Sequence, residues 1–179
     1  DSRGRNTAAL VAQDVASGRT TVLAQDPRAD IDDAIFDSAS GRAQAYSSNY
    51  LKSEYKALDP ALQTDLALLQ RQVQGSFTIT SRTDADDKWL LNVDNVSAPI
   101  STWLFDRKAK TLSQLFVTRP ELEGAPLVPM QALELKTRDG LTMVSYLSLP
   151  KGADPTGSGR PAKPVPMVLL VHGGPWSRD

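Results

Sequence analysis

Between residues 76 and 117 the chain repeats one rhythm four times, and this limits its fold more than any other feature. The stretches 76–82, 88–93, 102–106 and 112–117 each read as a short strand. Between them lie Asp84-Ala85-Asp86-Asp87, then Asn95 and Ala98-Pro99, then Arg107-Lys108-Ala109-Lys110, all turn-like or charged. Four strands in about 42 residues is the size of one propeller blade. An open meander or a sandwich leaves the same trace.

The N-terminal part carries the rhythm in pairs. Residues 8–12 are apolar, Ala16-Ser17-Gly18-Arg19 supplies a turn, and 20–24 resumes with β-branched residues, the pattern of an antiparallel hairpin. Residues 30–37 and 42–48 repeat it around Ser38-Ala39-Ser40-Gly41. The segment 14–20 loosely echoes 106–112, so 8–23 reads as the last half of another such unit. One helix interrupts, expected over 60–73. Asp59 is placed to cap it, Pro60 occupies the first helical position where a missing N–H costs nothing, and Gly75 is its stop. Leu62, Leu66, Leu69 and Val73 fall on one face, which predicts packing against a sheet.

Composition removes several function classes. The formal net charge of −1 gives no electrostatic footprint for nucleic acid or an anionic membrane. With no cysteine, disulfides, thiolate metal sites and cysteine nucleophiles are excluded. No apolar run approaches the roughly 20 residues of a membrane span. No metal or cofactor site is expected. The N-terminal Asp1-Ser2-Arg3-Gly4-Arg5 lacks an initiator Met and any signal-peptide pattern, and reads as the middle of a longer sequence.

Three prolines and a glycine between 120 and 129 mark a change of composition, placed here as a linker between two domains, 1–119 and 130–179. Beyond it, 131–137 and 141–149 flank Arg138-Asp139-Gly140, and an Asp-Gly pair between two such runs is a strong hairpin signal. Residues 151–164 form a polar loop. The run 165–171 is almost unbroken in its apolar character, as in a parallel strand buried on both faces.

That run ends in His172-Gly173-Gly174-Pro175-Trp176. Consecutive glycines after a buried strand let the backbone approach a ligand and turn its amides outward. In α/β-hydrolases the loop after an early strand gives an N–H to the oxyanion hole, in some of them through a His-Gly-Gly motif. One fixed amide there contributes roughly 3–4 kcal/mol to the transition state. A plain glycine turn beside a buried histidine is the alternative for an isolated motif. The order of hairpin, polar loop, apolar run and motif favours the hydrolase.

The segments Pro129-Met130 through Asp139-Gly140-Leu141, Tyr146-Leu147-Ser148-Leu149-Pro150 and 166–179 together resemble the prolyl oligopeptidase family of serine peptidases. The likeness is strongest to its acylaminoacyl-peptidase and dipeptidyl-aminopeptidase branch, and includes His172-Gly173-Gly174-Pro175 and Arg178-Asp179. It implies a mainly β chain: the last blades of a β-propeller over 1–119, then the first strands of a truncated α/β-hydrolase domain. It also implies that a backbone amide of Gly173 or Gly174, with Gly174 preferred, helps form the oxyanion hole. His172 then holds the loop and is not the catalytic base. The implied activity is hydrolysis of short peptides through an acyl-enzyme, with peptide substrates as partners. The family's nucleophile, acid and base would all lie downstream, so these 179 residues alone are expected to be inactive. The resemblance points toward an exported or periplasmic bacterial protein without excluding the cytoplasm; oligomeric state is left open.

Other candidates read as structural. Gly157-Ser158-Gly159 lacks the spacing of a nucleophile motif. Asp84, Asp86 and Asp87 lack the ligand pattern of a calcium loop and read as a solvated turn. Asp30, Asp32 and Asp33 read the same way, although the family's propellers use such loops to line their tunnel. Asn95-Val96-Ser97 is a formal glycosylation sequon. Trp89 and Trp103 are expected in packing. An esterase or lipase, or a non-catalytic propeller that binds peptides, are the two rival readings.

Overall fold

The structure is a computed structural model and describes residues 1–174. It is mainly β, with every paired strand antiparallel and one α-helix. Strands β1 (Leu10–Gln13) and β2 (Thr20–Ala24) pair as a hairpin. Strands β3 (Ile31–Phe36), β4 (Ala43–Asn49) and β5 (Ser53–Ala57) form a three-stranded sheet. Helix α1 (Pro60–Gln72) follows, then the four-stranded meander β6 (Ser76–Arg82), β7 (Lys88–Asp94), β8 (Ser101–Asp106) and β9 (Thr111–Val117). A short 3-10 turn at Pro120–Leu122 leads to the hairpin β10 (Met130–Lys136) and β11 (Thr142–Ser148).

The expected meander over 76–117 is therefore present, as a single sheet in sequence order. Strand β5 is not evident in the sequence. Only Tyr55 of its five residues is buried, and its neighbours Glu54 and Lys56 are charged, so the pairing with β4 decides it. Neither a closed ring of blades nor a parallel sheet forms among the described residues.

Helix α1 ends one residue earlier than its periodicity suggests. The Asp59 side chain accepts from the Ala61 amide at 3.0 Å, and Val73 already has extended dihedrals. Its apolar face supplies Leu62, Leu66 and Leu69, each at most 2% exposed. They join Ile35, Tyr55, Phe77, Trp89, Leu91 and Phe105 in one core drawn from both larger sheets. Tyr55 stacks on Phe77 at 5.4 Å, and Trp89 meets Phe105 edge-on at 5.8 Å. Burying a side chain of this size contributes roughly 1.5–3 kcal/mol, so this cluster dominates the stability of the strand-rich part. Trp89 is fully buried and Trp103 packs partly against the cluster, as expected for packing residues.

Gly75 lies just beyond the helix at φ +108, where an added Cβ would come within 2.2 Å of the Asp94 carbonyl oxygen. The chain thus needs glycine here for space as well as for conformation. The hairpin turns share one construction. Asp14 and Asp37 each accept from the backbone and hydroxyl of a serine three residues on, Ser17 and Ser40, and a left-handed glycine closes each turn. Asp106 plays the same part for the amides of Lys108 and Ala109, with Lys110 in the left-handed region.

Asp86 corrects its reading as a solvated turn residue. It is the hub of a polar network at one end of the two larger sheets. Arg82 donates to it at 2.6 Å, Trp89 Nε1 at 2.6 Å and Arg107 at 2.5 Å. Arg107 also donates to Asp65 of α1 at 2.9 Å, and Lys110 reaches the other oxygen of that buried carboxylate. Arg82 continues to Phe36 O and Gln44 Oε1, which brings in the β3–β4 hairpin. Both guanidinium groups lie over the Trp89 ring, at 4.7 Å for Arg107 and 5.5 Å for Arg82. Two cations from separate hairpins converge on this aspartate and leave its side chain 25% exposed. Asp84 of the same turn is exposed, as expected. Asp32 and Asp33 lie in β3 and not in a turn, and Asp33 accepts from the Tyr55 hydroxyl at 3.3 Å.

The run 165–171 is a second correction. It forms no strand, and Met167, Val168, Leu169, Leu170 and Val171 are between 73% and 91% exposed. A strand buried on both faces exists only between neighbouring strands that bond to it, and the described residues offer it none.

Candidate functional site

Strands β10 and β11 pair residue for residue, from Met130 with Ser148 to Lys136 with Thr142. At their tip Gly140 takes φ +84, its amide donates to Thr137 O at 3.0 Å, and Thr137 N donates to Leu141 O at 3.0 Å. The Thr137 hydroxyl holds Asp139 at 2.5 Å. The Asp-Gly turn read from the sequence is thus built as its chemistry requires.

The polar loop that follows is organised by Asp154. Its carboxylate accepts from Thr156 Oγ1, from Ser158 N and Oγ at 3.1 Å each, and from Gly159 N at 2.6 Å. Burial alone would raise its pKa, but the amides of Ser158 and Gly159 outweigh that and bring it to about 2. Gly157-Ser158-Gly159 therefore wraps a carboxylate, with the serine hydroxyl engaged as a donor to it. The sequence signal was available as an aspartate preceding a Gly/Ser-rich turn. Gly159 lies where a Cβ would meet Gln131 Oε1 at 2.8 Å, which sets the loop against β10.

The chain then reaches His172, Gly173 and Gly174, the three residues singled out for chemistry. All three are exposed. His172 Nδ1 lies 3.1 Å from Gly173 O, nothing lies within 4 Å of a Cβ placed on Gly173, and Gly174 has φ +71. The left-handed conformation at Gly174 is one a side chain would resist. The three residues are consecutive in the chain, and among the described residues no other side chain hydrogen-bonds to them. Pro175, Trp176, Arg178 and Asp179 lie outside the described residues. Among the described residues no group of three or more His, Cys, Asp or Glu side chains could hold a metal ion. No helix there is long and apolar enough to cross a membrane.

Comparison with known proteins finds relatives along the whole chain. The chain is 49% identical over all 179 residues to the dipeptidyl aminopeptidase BIII of Pseudoxanthomonas mexicana. It is 29% identical over 167 residues, 85% of its length, to dipeptidyl peptidase family member 6 of Caenorhabditis elegans. These alignments cover 26% and 23% of the two relatives, so the chain spans about a quarter of their length. No family model and no solved structure matches it. The chain is thus a mainly antiparallel β polypeptide similar, from end to end, to part of a dipeptidyl aminopeptidase.

Proposed function

We propose that this chain is one section of a serine-type dipeptidyl peptidase. In this reading, residues 1–119 belong to the closing blades of a β-propeller, with β6 to β9 as one complete blade. Residues 120–129 link it to a domain that opens with the β10–β11 hairpin and would continue as an α/β-hydrolase. The single observation that carries the reading is the 49% identity to a dipeptidyl aminopeptidase, which runs without a break from the strand-rich part through His172-Gly173-Gly174.

The chemistry assigned to this section is narrow. After the nucleophile attacks the scissile carbonyl, the developing oxyanion needs fixed N–H donors in a water-poor site. An amide of Gly174, or of Gly173 beside it, supplies one such donor, and His172 shapes the loop. The serine, the acid and the base belong to sequence beyond this section. The 179 residues alone bind no acyl group and hydrolyse no peptide. In the whole protein the propeller would restrict entry to short peptides, and cleavage would release dipeptides from their amino ends.

The test is made on the product of the complete reading frame. It is expected to contain a Gly-x-Ser-x-Gly motif, to react covalently at that serine with a fluorophosphonate probe, and to cleave dipeptidyl anilides. A product that cleaves only simple esters would favour the esterase reading. A reading frame without any such serine would leave a peptide-binding propeller and refute the peptidase.

A further inference from the structure

The strand sheets and the β10–β11 hairpin face each other across a gap of about 710 Å³. The β4–β5 turn, the end of α1 and the start of β6 line one side, and Met130, Ala132 and Tyr146 line the other. A rigid side chain crosses from the first part to the second. Tyr50, in the β4–β5 turn, donates its hydroxyl to Glu134 Oε1 at 2.5 Å, a bond spanning 84 positions of sequence. One face of that ring is also held. The Arg28 guanidinium, from the segment between β2 and β3, sits 4.3 Å from the ring centroid.

Each member has a distinct part. A tyrosine has only two side-chain torsions, so a ring pinned on one face is a stiff strut. Arg28 pins it through the ring's negative face, and its charge favours an anionic acceptor at the strut's far end. Glu134 lies on β10, where it pairs across the hairpin with Val144, so a pull on Glu134 acts on both strands. Its hydrogen bond also raises the Tyr50 pKa above its ordinary value of 10.

We propose that Arg28, Tyr50 and Glu134 form a clasp that sets the distance of the β10–β11 hairpin from the strand sheets, and with it the width of the gap. The clasp joins two parts of this chain and does not depend on the peptidase reading. If both hold, it controls the placement of the element from which the backbone runs on to His172.

The native chain has no cysteine, so two dyes can be placed at Ser38→Cys and Arg138→Cys, at the tips of the β3–β4 and β10–β11 turns. Single-molecule energy transfer at picomolar concentration then reads their separation without interference from self-association. Tyr50→Phe is expected to raise the low-transfer population roughly two- to tenfold, the range set by loss of one such hydrogen bond. Glu134→Ala is expected to do the same, and the double variant no more than either alone. Tyr46→Phe, whose ring faces Lys56, is the control and should leave the distribution unchanged. Unchanged distributions in both clasp variants would overturn the proposal. So would single effects that simply add in the double variant, or an equal shift in the control.

Discussion

Asp65 and Asp86 show how much depends on where a carboxylate's partners lie. Asp65 is 2% exposed, and among the described residues Arg107 and Lys110 neutralise it. Asp65→Ala removes the charge-assisted bonds to Arg107 and Lys110, while Arg107 keeps Asp86 and Lys110 returns to water, and is expected to cost roughly 2 kcal/mol, read as a lower urea midpoint. At Asp86, burial raises the pKa, but the hydrogen bonds from Arg82 and Trp89 and the charges of Arg107 and Arg82 prevail and hold it below its ordinary 3.8. A depressed folded pKa adds stability that is fully present above the unfolded value and lost as pH falls through the folded one. The chain should therefore lose stability below about pH 4, with a shallower loss in Asp86→Asn, as thermal melts across pH 2–6 would show. Gly75 sets a different constraint. An alanine there would meet backbone atoms at a positive φ, so Gly75→Ala should cost roughly 3 kcal/mol or prevent folding. The sequence marked Gly75 as a helix stop; its contact with Asp94, across the β6–β7 pair, could not be read from it. Asp86 was hidden for the same reason. Arg82 four residues before it is visible locally, but Arg107 arrives from another hairpin.

Among the elements, those set by local chemistry were legible. Asp59-Pro60 placed the start of α1, and Asp59→Ala should cost about 1 kcal/mol by removing the cap and the Arg42 contact at 2.8 Å. The Gly-closed turns placed the hairpins. Strand β5 was not read from the sequence: exposed Glu54 and Lys56 alternate with Ser53, Tyr55 and Ala57, but Tyr55 is its single large buried residue and β4 supplies its pairing. The run 165–171 failed in the opposite sense: its composition signals a buried strand, but forming one depends on neighbours. Left exposed, five consecutive apolar residues favour association between chains. The 179-residue chain is expected to self-associate, and Val168→Lys with Leu170→Lys to restore a monomer in light scattering. A monodisperse wild-type chain with a cooperative melt would contradict this.

At the scale of the whole molecule, the sequence implied more than the structure displays. The four-stranded meander and the helix are present and share one core with the three-stranded sheet, and the β10–β11 hairpin is present outside that core. A closed ring or a parallel sheet needs strands from elsewhere in a polypeptide, which is why neither forms among these residues. The site follows the same logic. His172, Gly173 and Gly174 stand out in the sequence because a glycine pair follows an apolar run. The oxyanion-hole role proposed for them depends on a nucleophile opposite, which these residues do not supply. The proposal that this chain is part of a serine dipeptidyl peptidase is tested most directly by product analysis. The protein from the complete reading frame is incubated with an unblocked hexapeptide and its products are weighed by mass spectrometry. Successive loss of dipeptides from the amino end, abolished by prior fluorophosphonate treatment and absent with the 179-residue chain, is the expected result. An intact hexapeptide, or cleavage at internal bonds alone, would contradict it.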